Sequence, residues 1–283
     1  MLNYEMSMKE YKEMISQPQY AMKQYAWVGY DEFEALSKYG DLANLFEELA
    51  EEYGRVPTQD EYVTVGFERA KEYFTTKVNA KGQRWLPVKK DPKTKKVLKW
   101  HDFKWEEKLM RAITQRLARS YPSHMVEYST ILTLLEKYPH FKVGASDYID
   151  GVMAVDIVVA SEEHDKVLYV HVTSSSGYSD HWLKKKESRK GFALDKNGGK
   201  HFYTRNFKKG HAHLAFGKTE TDTTEIVNGI PVIKESHIDS VIEVAMILAP
   251  SMDTFKGKEQ LCQLHYWLIE NNISDNGLGN FWL

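Results

Sequence analysis

A single cysteine, Cys262, stands in the 283 residues of this chain. One thiol can neither close an internal disulfide nor build a cysteine zinc site. Long apolar runs are missing too, and none approaches the ~18 residues that a membrane-spanning helix needs. The first residues, MLNYEMSMKEYKEM, have neither a basic start nor an apolar stretch, so no secretory leader is expected there. These absences predict a protein of the reducing cytoplasm with no membrane partner. Motifs of three large enzyme classes are also lacking. There is no Gly-x-x-x-x-Gly-Lys-Ser/Thr, no Gly-x-Gly-x-x-Gly and no Gly-x-Ser-x-Gly, so nucleotide-dependent kinases and serine hydrolases have no support. Internal repeats and low-complexity stretches are absent.

Hydrophobic residues make up 42% of the chain, enough for a true core. The length suits one large domain or two smaller ones. The net charge of −2 conceals an asymmetry. Residues 1–76 carry Glu47, Glu48, Glu51, Glu52, Asp60 and Glu61 among their acids. Residues 77–120 are strongly basic and include Lys89, Lys90, Lys95, Lys96, Arg111 and Arg116. A second basic run comprises Lys184, Lys185, Lys186, Arg189 and Lys190. Local fields govern attraction to a polyanion more than net charge does. Both runs therefore predict contact with DNA phosphates, against the alternative of solvated loops and ordinary helix faces. Trp85, Trp100, Phe103 and Trp105 lie among the bases of the first run, in the manner of base-stacking platforms.

The periodicity predicts a small helical N-terminal domain over 1–76, a basic linker or hairpin arm over 77–101, and an α+β core over 102–283. Leu42, Leu45, Phe46, Leu49 and Tyr53 follow an Asp41 N-cap at helical spacing, and Gly54 ends the run. Thr58 and Glu61 make a capping box for the next helix. A further short segment is expected after Gly66. Short helices with tight turns suggest a helix-turn-helix, but the acidity favours an accessory or oligomerisation role, and so a homodimer. Two helices are expected at about 102–120 and 123–137, broken by Pro122. After Pro139 the period changes. Val152–Val159 and Val167–Val172 read as a β-hairpin, followed by a helix at about 180–190. Strands are expected at His211–Phe216 and Ile230–Ile233, and helices from about Asp239 and from about Lys258.

Helix, β-hairpin, helix, strand is an order that resembles the PD-(D/E)XK nuclease core, over about residues 121–237. The resemblance implies a restriction-endonuclease-like mixed sheet flanked by helices. It also implies Mg²⁺- or Mn²⁺-dependent phosphodiester hydrolysis of DNA. Such chemistry needs an activated water and a counter-charge, which a metal held by carboxylates supplies. Asp156 fits the family's first acid, and Glu127 is the candidate acid from the preceding helix, with Glu136 behind it.

The family's (D/E)-x-K position reads His171-Val172-Thr173. Histidine is a poor Mg²⁺ ligand and a better one for transition metals. Threonine cannot replace a cationic lysine. Three readings stay open. His171 serves as ligand or base, with the lysine moved to Lys184, Lys185 or Lys186. Alternatively, Asp147 or Asp150 does the metal work. Or the fold persists without catalysis and the chain binds DNA or a nucleic-acid enzyme. The expected catalytic set is Asp156, His171, Glu127, Lys184 and Lys186. Asp156, Glu127 and His171 are the expected metal ligands. Lys89, Lys90, Lys95, Lys96, Arg111, Arg116, Lys185 and Arg189 are expected on DNA. His211 and His213 share a strand face and read as structural.

Overall fold

The computed structural model describes residues 4–25, 45–76, 89–90, 97–98, 105–145, 156–161, 163–164, 166–175 and 211–248. The architecture is α+β. Five α-helices are described, α1 (Met8–Ile15), α2 (Leu45–Tyr53), α3 (Gln59–Thr76), α4 (Trp105–Lys137) and α5 (Glu235–Leu248), with a short 3-10 helix at Pro18–Tyr20. The strands are β1 (Lys89–Lys90), β2 (Val97–Leu98), β3 (Lys142–Gly144), β4 (Ile157–Ser161), β5 (Lys166–Ser174), β6 (His211–Phe216), β7 (Thr224–Val227) and β8 (Ile230–Ile233). Expectations resting on Asp41, on the helix near 180–190 and on the helix from Lys258 lie outside the described residues. Among the described residues no helix is long and apolar enough to cross a membrane.

The chain forms two compact units, and they divide it elsewhere than its composition does. The first holds the described residues between 17 and 124. The second holds 4–16 together with those from 125 onward. The helix at the N-terminus thus belongs with the sheet, and the boundary runs through α4 rather than before it.

In the first unit, α2 ends at Gly54, whose φ of 62° is the left-handed conformation that glycine adopts without a Cβ penalty. The Thr58–Glu61 capping box is present in both halves. Glu61 N–H donates to Thr58 Oγ1 at 3.3 Å, and Thr58 N–H donates to Glu61 Oε2 at 2.7 Å. Arg55 adds a bidentate pair to the same carboxylate at 2.9 and 2.5 Å. That guanidinium, foremost, holds the Glu61 carboxyl down to about 2.

No break occurs at Gly66, and α3 is one helix. A Cβ on Gly66 would lie 2.6 Å from methyls of both Leu45 and Leu117. The glycine therefore permits close helix packing rather than a turn.

Pro122 does not break α4 either, which runs for 33 residues through it. Proline in a helix leaves the carbonyl four residues earlier without its donor. That carbonyl is Ala118 O, and Gln59 Nε2 donates to it at 3.4 Å. A side chain from α3 thus supplies the bond that Pro122 cannot make.

Phe46, Tyr62, Tyr121 and His124 form an aromatic cluster in this unit. The His124 ring stacks on Phe46 at 5.1 Å and 13°, and its Nε2 lies 3.2 Å from the Tyr62 hydroxyl. Burial first, and the Arg116 charge second, push the His124 pKa from 6.5 down to about 4. The folded state therefore holds this histidine neutral where the unfolded chain would protonate it. Its contribution is complete above pH 6.5 and is lost as pH falls toward 4. Urea melts should show about 1–3 kcal/mol of stability lost between about pH 7 and about pH 4.5 from this group. His124→Gln should remove that part of the slope; an unchanged pH profile in the variant would refute the assignment.

In the second unit the sheet order is β3-β4-β5-β6. β3 and β4 are antiparallel, β4 and β5 are antiparallel, and β5 and β6 are parallel. One face carries Ile157, Val159, Leu168, Val170, Val172, Ala212, Leu214 and Phe216. These pack with Val126, Ile131 and Leu134 of α4 and Ile238, Ile242 and Met246 of α5. Lys137 pins the end of α4 to α5 through Glu235 and Asp239 at 2.6 and 2.5 Å, and the Tyr138 hydroxyl also donates to Asp239. β7 and β8 form a hairpin whose turn, Asn228-Gly229, has φ of 54° and 86°. Positive φ at both central residues is what a two-residue hairpin turn with the correct twist requires.

Helix α1 is fixed onto this unit at several points. Its own Ser7–Glu10 capping box starts it. Met8 N–H donates to Glu136 Oε2 at 2.8 Å, the Tyr11 hydroxyl donates to Met125 O at 3.1 Å, and Asn228 Nδ2 donates to Ile15 O at 3.1 Å. Tyr11 and Ile15 are fully buried.

Candidate functional site

Helix α4 positions Glu127. From Met125 to Leu134 every residue is buried except Glu127, which is half-buried and is the one carboxylate of that run. A stretch closed on all sides around one carboxylate is unlike an ordinary surface helix. Glu136, the weaker candidate, is exposed and accepts the Met8 N–H, so it caps α1.

Asp156 sits at the mouth of β4. Its N–H donates to Val170 O at 3.2 Å, and its Oδ2 accepts the Val172 N–H at 2.6 Å. The carboxylate thus continues the β4–β5 ladder past the last main-chain pair, as a strand-end cap would. Ile157 is in register with Val170, so the next residue of β5, His171, faces the Asp156 position. Side chains alternate along a strand. With Val170 and Val172 in the aliphatic core, His171 projects from the opposite face, alongside Tyr169 and Thr173. His171 is only 3% exposed.

The parallel pairing of β5 with β6 sets His213 beside His171. Their rings stack with centroids 5.2 Å apart and planes 19° from parallel. Sequence reasoning placed His213 with His211 and read both as structural. The signal that joins His213 to His171 is a register between two strands distant in sequence, which spacing along one strand does not reveal. The His211 side chain lies outside the described residues.

Asp156, His171 and His213 thus stand in a cross-strand row, while Glu127 comes from the helix. Among the described residues no three His, Cys, Asp or Glu side chains come together closely enough to hold a metal ion. Asp156, Glu127 and His171 make no such group by themselves. Mg²⁺ demands near-octahedral oxygen ligands, and an imidazole is a poor substitute. The described donors therefore do not fit a Mg²⁺ site on their own. No family model, curated protein or solved structure matches the chain.

Lys184, Lys185, Lys186, Arg189, Lys95, Lys96, Asp147 and Asp150 lie outside the described residues. Lys89 and Lys90 form β1 and pair antiparallel with Leu98 and Val97 of β2. Arg111 and Arg116 are exposed on α4. These four basic residues belong to the first unit, and the acid–histidine row belongs to the second.

Proposed function

We propose that this chain acts on DNA through a nuclease-like core, hydrolysing phosphodiester bonds with a divalent ion, Mg²⁺ or Mn²⁺. The observation that carries the reading is the facing of Asp156 and His171 at the open end of the β4–β5 pair. Support also comes from the element order: a helix, an antiparallel pair and a strand parallel to its second member. Asp156 and His171 offer one carboxylate and one imidazole nitrogen, a donor set suited to Mn²⁺ better than to Mg²⁺. Remaining oxygen ligands and the offsetting lysine would come from outside that pair. Lys184 and Lys186 are the candidates, with Asp147 or Asp150 as acids; Glu127, expected as a ligand, is carried by α4, which packs against the opposite, aliphatic face of the sheet.

The test is cleavage of plasmid, linear and single-stranded DNA by the full chain with each ion. Asp156→Ala should lower the rate by about 100-fold or more while DNA affinity stays within about twofold. A wild-type protein that leaves every substrate uncut with every ion would end the hydrolytic reading.

A second reading has its own observation. The Asp156 carboxylate is engaged by the Val172 N–H, as in a strand cap. On that reading the core is a scaffold and the protein binds DNA without cutting it, through Lys89, Lys90, Arg111 and Arg116. It expects salt-sensitive binding by the wild type, no cleavage, and loss of stability in Asp156→Ala.

A further inference from the structure

The sheet face opposite the aliphatic core carries, beside His171, a second imidazole, His213, to which the hydrolytic reading assigns no part. His171 and His213 are register partners in the middle of the six-residue β5–β6 pairing. On either side their backbones are held by Val170–Ala212 and Val172–Leu214, pairs whose side chains lie in the core on the other face. The Cα positions beneath both rings are therefore fixed. What remains for each ring is rotation about its side-chain bonds.

Stacking restrains that rotation on the His213 side. The planes are 19° from parallel and the centroids 5.2 Å apart, so turning His171 would break contact with His213. On the other side of His171 is the mouth of β4, where Asp156 is tied to the Val172 N–H. The imidazole of His171 is thus bracketed by a strand on each side. A ring that presents a nitrogen to a substrate or ion works only when its plane is held, because small misorientations cost large factors in rate.

We propose that His213 is a positioning residue for His171, holding the imidazole plane through ring stacking rather than through its nitrogens. This rests on the reading of His171 as a working residue of a hydrolytic site. Aromatic surface at position 213, not a nitrogen donor, is what the role demands.

The test compares His213→Phe, which keeps a flat ring, with His213→Leu, which keeps apolar bulk without one. His213→Leu should lower kcat by about 10- to 100-fold with KM within about twofold. His213→Phe should restore kcat to within about threefold of wild type. A second readout does not depend on cleavage: the ring-proton resonances of His171 in the full-length protein. They should be displaced upfield by the stacked ring, lose that displacement in His213→Leu, and regain it in His213→Phe. Two results overturn the proposal: full activity in His213→Leu, or a His213→Phe variant as impaired as His213→Leu. Should the wild type cut no DNA, the hydrolytic reading falls. The resonances then decide alone, and His171 signals indifferent to residue 213 overturn the stacking role.

Discussion

Tyr11→Ala will destabilise the sheet-bearing unit by about 3–5 kcal/mol, although Tyr11 lies in a segment whose composition groups it with the helical one. The side chain is fully buried, its hydroxyl donates to Met125 O, and its ring lies 5.7 Å from that of Tyr128. Truncating a buried aromatic to alanine costs about 3–5 kcal/mol through lost transfer energy and an unfilled cavity. Whole domains are stable by only about 5–15 kcal/mol. Removing residues 1–16 altogether takes away Ile15 as well, together with the bonds to Glu136 and Asn228. Hydrogen exchange resolved by peptide provides the measurement. Protection should fall over β4, β5, β6 and the second half of α4, with α3 retaining more of its own. Loss confined to α2 and α3, with the sheet unchanged, would contradict the assignment of α1.

Gln59→Leu should cost about 2–4 kcal/mol, a large effect for a residue of similar size. Gln59 is 2% exposed. Its Nε2 serves the Ala118 carbonyl that Pro122 leaves without a helical donor, and its Oε1 accepts the Lys23 N–H at 2.8 Å. Leucine would leave both backbone groups without these partners. The mechanism makes a sharper statement about the pair. Pro122→Ala restores the N–H that belongs to Ala118 O, so Gln59→Leu should cost about 1 kcal/mol less in that background. The Lys23 bond is not restored, and part of the penalty should persist. A double-mutant cycle from urea melts measures this coupling, and equal penalties in both backgrounds would refute the substitution of one donor for the other.

These two cases show where reading the sequence stops. The strands His211–Phe216 and Ile230–Ile233 are legible to the residue, because short β-branched or alternating runs are bounded by turn formers. The capping box of Thr58 and Glu61 and the terminator Gly54 are legible because caps are local chemistry. Pro122 and Gly66 are not. Each carries a local breaking signal that a distant residue cancels, Gln59 in one case and the approach of Leu45 and Leu117 in the other. β7 was missed although Asn228-Gly229 announces a hairpin, since Thr224–Val227 is too short and too polar to stand out alone. At the candidate site the spacing of Asp156 and His171 could be read from two adjacent strands joined by a turn. His213 could not be paired with His171 in that way, for parallel register is set by tertiary packing.

The itinerary of the chain has a consequence for its synthesis. Residues 4–16 pack with the second unit, the chain then builds the first, and only afterwards does it supply what α1 rests on. The bond from Asn228 to Ile15 spans 213 positions. At ordinary elongation rates of 5–20 residues per second, α1 leaves the ribosome roughly 10–45 s before that partner exists. During that interval a short helix with two large apolar side chains has no surface of its own to cover them. Isolated helices of this length are marginal in water. The segment that completes the sheet-bearing unit is thus made early and must wait while the rest of that unit is translated.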